Sequence, residues 1–256
     1  MIPAVRQQQI MHHLGKRKIV DIRELTSLLN VSHMTVRRDI QQLEEKGRVI
    51  SVTGGVALAT QITGEPSHAD KRGMQVDEKS AIARVAETLI GDESTIYLDA
   101  GTTTLALARR IAETGKNCEK MLFVTNDLVI GAYITENIRC RLYFIGGMVD
   151  MENRSCVGSG AVAPLKQLNI DIAFLSTPSW NMRWLSIPDQ DKSIVKKTVV
   201  ESSTKKFLLS DSSKYGKVGA FNSVPLSCFD GIVTDGNLPE KTKIALAQQG
   251  IEVLLA

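Results

Sequence analysis

Two spacings of apolar residues alternate along this chain, and the pattern changes near residue 76. Before residue 57, three runs have helical spacing. In the first, Ala4 to Leu14, the inward residues are Val5, Ile10 and Leu14. Gly15 and the basic triplet Lys16-Arg17-Lys18 break it, and Ile19-Val20 is a short extended piece. Asp21 is placed to N-cap a second helix with the stripe Ile22, Leu25, Leu28 and Leu29, and Glu24 follows at capping-box spacing. Asn30 ends that helix and Ser32 caps a third, in which Val36, Ile40 and Leu43 share one face. The run RVISVTGGVALA then switches to strand character around Gly54-Gly55, a β-hairpin. Three helices and a hairpin make a winged helix-turn-helix.

From residue 76 onward, helical stretches alternate with seven short apolar strands at 94–99, 121–125, 141–147, 171–176, 206–211, 231–235 and 251–256. Helices are expected near 77–90, 103–113, 127–136, 160–168, 190–203 and 239–249. Such alternation predicts an α/β domain with a mainly parallel sheet covered by helices on both faces. The polar stretch between, with Gly64, Pro66 and Gly73, reads as a linker in which His68 is solvated. The expected division is a winged helix-turn-helix module at 1–57, a linker at 58–75 and an α/β domain at 76–256.

Charge sharpens this division. The net charge of +3 is small, but residues 1–57 hold nine Lys/Arg against five Asp/Glu and three of the four histidines. A basic N-terminal module on a near-neutral body points to a polyanion met by the first part only. The four cysteines are widely spaced, with no metal-ligand pattern, as in buried thiols of a reducing compartment. The N-terminus lacks the apolar core of a signal peptide, and no apolar run approaches the ~20 residues that span a bilayer. The expected location is the cytoplasm, without a membrane partner.

The chemistry concentrates in two places. The outer face of the third helix carries His33, Thr35, Arg37, Arg38 and Gln41, side chains suited to phosphates and base edges in a major groove. Taken alone, such a helix is more often ordinary solvated surface, and its neighbours change that balance. In the second half, small polar residues fall where strands end: Asp99, Gly101, Thr102, Thr103 and Thr104; Thr125 and Asn126; Gly146 and Gly147; Ser176 and Thr177; Asp211 and Lys214. Ligands of α/β folds bind at those carboxyl ends, and a helix N-terminus behind Gly101 favours an anion. Each cluster singly is also what turns and helix caps require.

The block Ser32, Thr35, Val36, Arg37, Arg38, Asp39, Ile40, preceded by Arg6, Ile10 and Leu14 and followed by the GRVISVTGGV wing, resembles the DeoR family of bacterial repressors. The pieces DAGTTT (99–104), TND (125–127), GG (146–147), RSCVG (154–158), the segment from Asp191 to Lys197 and DSSKYG (211–216) are similar to that family's C-terminal sensor domain, whose fold is that of ribose-5-phosphate isomerase. The resemblance implies a non-enzymatic, cofactor- and metal-free regulator, a homodimer or homotetramer that represses a carbohydrate-catabolism operon. Its DNA contacts would come from Ser32, His33, Thr35, Arg37 and Arg38. Its effector pocket would take Asp99, Gly101, the three threonines, Thr125, Asn126, the two glycines, Lys197, Asp211 and Lys214. Lys197 rather than Lys196 is chosen by its spacing from Asp191, and Asp39 is assigned a structural role.

One stretch departs from the family pattern. Ser176-Thr177-Pro178-Ser179-Trp180 replaces a glycine-rich turn, and Pro178 removes a backbone donor. The effector expected is therefore a small sugar phosphate, a sugar acid or a phosphorylated sugar acid, with Trp180 and Trp184 either covering the pocket or packing elsewhere. The alternative is a sugar-phosphate isomerase or deaminase using Asp99 or Asp211 as base beside Lys197 or Lys214. The winged module argues against it.

Overall fold

The N-terminal apolar stripes fold as α1 (Pro3–Lys16), β1 (Ile19–Val20), α2 (Ile22–Leu29), α3 (His33–Glu45), β2 (Val49–Val52) and β3 (Gly55–Leu58) in a computed structural model. It describes residues 2–17, 19–52, 55–91 and 95–256. Lys18 of the basic triplet, Gly54 of the hairpin turn and Ser94 at the first sensor strand lie outside the described residues. Asp21 accepts the Arg23 N–H at 2.6 Å, and Ser32 Oγ accepts the Thr35 N–H at 3.3 Å. Asn30 closes α2 in the left-handed conformation. β3 pairs antiparallel with both β1 and β2, so the wing is anchored beneath the helices. Ile10, Leu14, Leu25, Leu29, Val36, Ile40 and Leu43 form one small core with Val20, Val49 and Val56.

Three local expectations fail here. The helix passes through Gly15. Val5 and Leu28 are exposed, because the buried stripes are Gln7-Ile10-Leu14 and Leu25-Leu29 and both residues fall off those faces. Glu24 takes no part in a capping box; its carboxylate lies 3.3 Å from His13 Nε2 and accepts from Arg17 Nη1 at 2.7 Å, tying α2 to α1.

The remaining elements, in chain order, are β4 (Thr60–Gln61), α4 (His68–Arg72), α5 (Val76–Glu87), β5 (Thr95–Leu98), α6 (Thr102–Thr114), β6 (Leu122–Thr125), α7 (Leu128–Asn137), β7 (Arg141–Phe144), β8 (Met148–Asp150), β9 (Ser155–Val157), α8 (Ser159–Leu165), β10 (Ile170–Leu175), β11 (Ser179–Trp180), β12 (Trp184–Ile187), α9 (Gln190–Glu201), β13 (Ser203–Leu209), β14 (Lys217–Val218), β15 (Phe221–Pro225), β16 (Gly231–Thr234), α10 (Glu240–Gln248) and β17 (Glu252–Leu255). All seven expected strands join one sheet in the order β17-β16-β13-β10-β5-β6-β7, parallel at every pairing. One apolar layer holds Ile82, Leu107, Phe123 and Phe174. The opposite layer holds Tyr97, Leu175, Trp180 and Leu208. A sheet buried on both faces explains why its strands read as unbroken apolar runs.

The chain leaves β5 toward β6 and β7 on one side and later fills β10, β13, β16 and β17 on the other. The carboxyl ends of β5 and β10 therefore flank the point where strand order reverses, the crevice where open α/β sheets hold ligands. The β8–β9 hairpin and the antiparallel sheet β11-β12-β15 were not foreseen; their strands have two to five residues.

The stretch read as a linker is built into the fold. β4 pairs in parallel with β14, the Thr60 N–H reaches the Gly216 carbonyl at 3.1 Å, and the Ile62 N–H reaches that of Val218 at 2.9 Å. His68 is buried rather than solvated, because its N–H bonds the Glu152 carbonyl and draws α4 onto the domain; neither ring nitrogen has a hydrogen-bond partner. Trp180 is a core residue, edge-on to Tyr215 with its indole N–H on Ser210 Oγ at 2.9 Å, and neither Trp180 nor Trp184 lines the pocket described below. Among the described residues, no helix is long and apolar enough to cross a membrane. The four cysteines are free thiols.

Candidate functional site

The α3 helix presents one wet and one dry face. Val36, Ile40 and Leu43 point into the core, whereas His33, Met34, Arg37, Arg38 and Gln41 are exposed. Asp39 is buried and takes two hydrogen bonds from Arg6, at 2.6 and 3.1 Å. This bidentate pair fastens α3 to α1 and keeps the one carboxylate of the first two turns off the outer face. Thr35 is half-buried, and its hydroxyl meets that of Ser32 at 2.9 Å. The cap therefore engages both hydroxyls, and among the described residues the exposed polar side chains of the face are His33, Arg37, Arg38 and Gln41.

The second site lies at the switch point and has two connected chambers. The inner one is floored by a buried ion pair. Lys196 Nζ contacts Asp99 Oδ2 and donates to the Ser176 carbonyl at 2.8 Å, while Asp99 Oδ2 also accepts the Ser176 N–H at 2.9 Å. Asn126 lines its wall, held by the Tyr97 hydroxyl and by a bond to the Cys156 carbonyl, both 2.8 Å. The inner chamber measures about 30 Å³. The outer chamber, about 320 Å³, is lined by Gly101, Thr102 and Thr103 at the start of α6 and by Lys79, Lys214 and Lys217. Gly101 has φ +156°, and a Cβ there would lie 2.5 Å from Ser176 Oγ, so the Ser176 side chain and the glycine opposite it fit only together.

Charge is unevenly distributed between the chambers. Burial, then the neighbouring Lys214, pulls the Lys79 ammonium down to about 8. Glu65 comes from the β4–α4 segment and lines both chambers. Burial works to raise its carboxyl, but Lys71 and Lys192 outweigh it and hold the group below its usual range. Burial likewise opposes the Lys192 charge, yet Glu65 and Asp150 move that ammonium up. Beside the site, Asp127 caps α7 and accepts the Gly101 N–H at 3.1 Å; burial pushes it up to about 6 against the amides of Ile130, Val129 and Gly101. Four lysines, Lys71, Lys79, Lys214 and Lys217, line the outer chamber with a helix N-terminus, the arrangement that holds phosphate, and the Lys79 ammonium is fixed there by the Lys71 and Met74 carbonyls.

Of the residues expected to form this pocket, Asp99, Gly101, Thr102, Thr103, Asn126 and Lys214 line it. The others are corrected. Lys197 is exposed and Lys196 buried, because α9 turns its Lys192–Lys196 face, one helical turn apart, toward the sheet. The Thr104 hydroxyl is consumed by the Asp99 and Gly101 carbonyls, and that of Thr125 by the Leu98 carbonyl. Gly146 and Gly147 are exposed outside the pocket; a Cβ on Gly147, at φ +144°, would press on Ala161 N at 3.1 Å, so this glycine serves the packing of α8. Asp211 is buried beneath its own turn, where it accepts the Ser213 N–H at 3.1 Å. Glu65, Lys71, Lys79, Asn153, Lys192 and Lys217 were missed. Only the i, i+4 lysines 192 and 196 behind the Asp189 cap carried a sequence signal for their face.

Residues 6–62 match the DeoR-like helix-turn-helix domain, and residues 74–236 match the DeoR C terminal sensor domain. An uncharacterized HTH-type transcriptional regulator of Haemophilus influenzae is 47% identical over 100% of this chain and 98% of its own length. A lactose phosphotransferase system repressor of Staphylococcus aureus is 31% identical over 93% of this chain and 94% of its own. Among solved structures, ribose 5-phosphate isomerase A of Methanocaldococcus jannaschii aligns with a TM-score of 0.39 at 18% identity, covering 55% of this chain and 54% of that one.

Proposed function

Because the chain belongs to the DeoR family of DNA-binding transcriptional regulators, and so is a regulator rather than an enzyme, we propose that it represses a carbohydrate-catabolism operon and that a small phosphorylated sugar or sugar acid controls its grip on the operator. It does so in the cytoplasm, where the DNA is. His33, Arg37 and Arg38 on α3 contact the operator, with Ser32 and Thr35 capping the helix beside the phosphates. The working form is a homodimer or homotetramer, since two winged modules read two half-sites. The division into a DNA-binding module, a connecting segment and a sensor domain follows the boundaries 1–57, 58–75 and 76–256.

The observation that carries the effector reading is the outer chamber: Lys71, Lys79, Lys214 and Lys217 line it together with the N-terminal turn of α6, and Glu65 is the single carboxylate among the described residues of its wall. The isomerase alternative loses its base, because Asp99 is tied up by Lys196 and Asp211 lines neither chamber. A thermal-shift screen of the full chain against sugar phosphates, polyols, sugar acids and phosphorylated sugar acids tests this. At a hundredfold excess over Kd, a ligand of the folded state adds about 2.7 kcal/mol. Stabilisation by a phosphorylated member is the expected result; a flat response to every class would contradict the reading.

A further inference from the structure

The inner chamber is filled by the chain itself. Glu65 Oε1 lies 2.5 Å from Lys71 Nζ, and Oε2 lies 2.9 Å from Lys192 Nζ. Lys71 also donates to Asn153 Oδ1, and Lys192 reaches Asp150 Oδ2 at 2.7 Å. All three members of the central cluster are largely buried, with side-chain exposures of 16, 14 and 12% for Glu65, Lys71 and Lys192. With Glu65 in place the remaining 30 Å³ holds one or two waters, no more. Nothing larger enters unless that side chain leaves.

Its departure has a chemical condition. Stripping the partner from a buried ammonium is costly, whereas exchanging one carboxylate for another keeps both lysines paired. A hydroxyl or carbonyl group cannot make that exchange. We propose that Lys71, Lys192 and Asn153 form a carboxylate subsite that Glu65 fills from within, and that the effector is a phosphorylated sugar acid whose carboxylate displaces Glu65 while its phosphate sits in the outer chamber. This rests on the reading of the outer chamber given above. Displacement acts on the segment that carries the DNA-binding module: β4 ends four residues before Glu65, is paired with β14, and follows the wing after one residue. Glu65 in or out is thus the difference between two states that a ligand needs in order to shift them.

The test uses the full chain, as wild type and Glu65→Gln. Titration calorimetry compares three matched pairs that differ only in the carboxylate: 3-phosphoglycerate with glycerol 3-phosphate, 5-phosphoarabinonate with arabinitol 5-phosphate, and 6-phosphogluconate with sorbitol 6-phosphate. At least one acid is expected to bind about tenfold tighter than its alditol partner, and Glu65→Gln to tighten that acid about fivefold further while moving the alditol less than about twofold. Hydrogen exchange reads the latch without any ligand: the Thr60 and Ile62 amides exchange faster in Glu65→Gln. Weaker binding of the acid by Glu65→Gln would make Glu65 a direct ligand and overturn the proposal, as would alditols that bind like acids. If no probe binds either protein, the outer-chamber reading fails and exchange alone decides: unchanged linker amides overturn the latch, and faster ones uphold it. Glu65→Asp, which keeps the charge and shortens the reach, gives the same ordering should Glu65→Gln not fold.

Discussion

Full-length protein carrying Arg37→Ala and Arg38→Ala is expected to lose nearly all specific operator binding while melting at the wild-type temperature. The two halves of that expectation come from the two faces of α3. Both arginines are exposed and belong to neither the apolar core nor the Arg6–Asp39 pair, so the module keeps its packing without them. An arginine that reads a base is worth about 1–3 kcal/mol, and one on phosphate contributes to the salt slope instead. Together the pair is worth about 2–6 kcal/mol, roughly thirtyfold to twenty-thousandfold in Kd. The measurement is fluorescence anisotropy on an operator selected from random DNA by the wild type, repeated across salt. A flatter salt dependence identifies the phosphate contact, and relaxed sequence preference identifies the base contact. A double variant that binds as the wild type does would remove α3 from the DNA face.

The second large effect is predicted in the pocket floor. Asp99 and Lys196 are both buried, and each is the other's counter-charge. Lys196→Met leaves Asp99 charged in a dry site and takes a donor from the Ser176 carbonyl. Removing one partner of a buried pair costs about 3–5 kcal/mol, or roughly 6–20 °C in Tm for a domain of this size. Asp99→Asn moves stability in the same direction by stranding the ammonium. The double variant Asp99→Asn/Lys196→Met recovers much of the loss, because it removes both charges. Thermal unfolding followed by circular dichroism reads all three. Single variants within about 1 kcal/mol of wild type would show that water reaches the pair and that the floor is not dry.

The sheet and most helices were legible because burial on both faces leaves a coarse mark: seven apolar runs, five of them ended by small residues. The third helix was legible for a similar reason, since its cap, stripe and basic front each obey a local rule. What was not legible depends on packing that no short window contains. Lys196 and Lys197 are both good pocket candidates by composition; only the rotation of α9 on the sheet separates them. Thr104 and Thr125 have the right chemistry at the right strand ends, but their hydroxyls are consumed by backbone carbonyls, and Asp211 is buried outside both chambers with Oδ1 on its own turn. Gly147 answers to the backbone of α8 and not to a ligand. Glu65 was the least visible: in a polar stretch with glycine and proline, nothing local says that one carboxylate turns inward to meet lysines from α4 and α9. His68 escaped for the same reason.

The central claim is that the switch-point pocket and the α3 face are two ends of one device. Coupling of this kind is reciprocal: whatever factor the effector imposes on operator affinity, the operator must impose on effector affinity. The direct measurement is therefore a four-way set of dissociation constants on the full chain: operator with and without a saturating phosphorylated sugar acid, and that acid with and without saturating operator. The account predicts that the acid weakens operator binding by about 5–150-fold, the span of typical allosteric couplings, and that the operator weakens the acid by the same factor. An acid that fills the pocket and leaves the operator constant unchanged would contradict it.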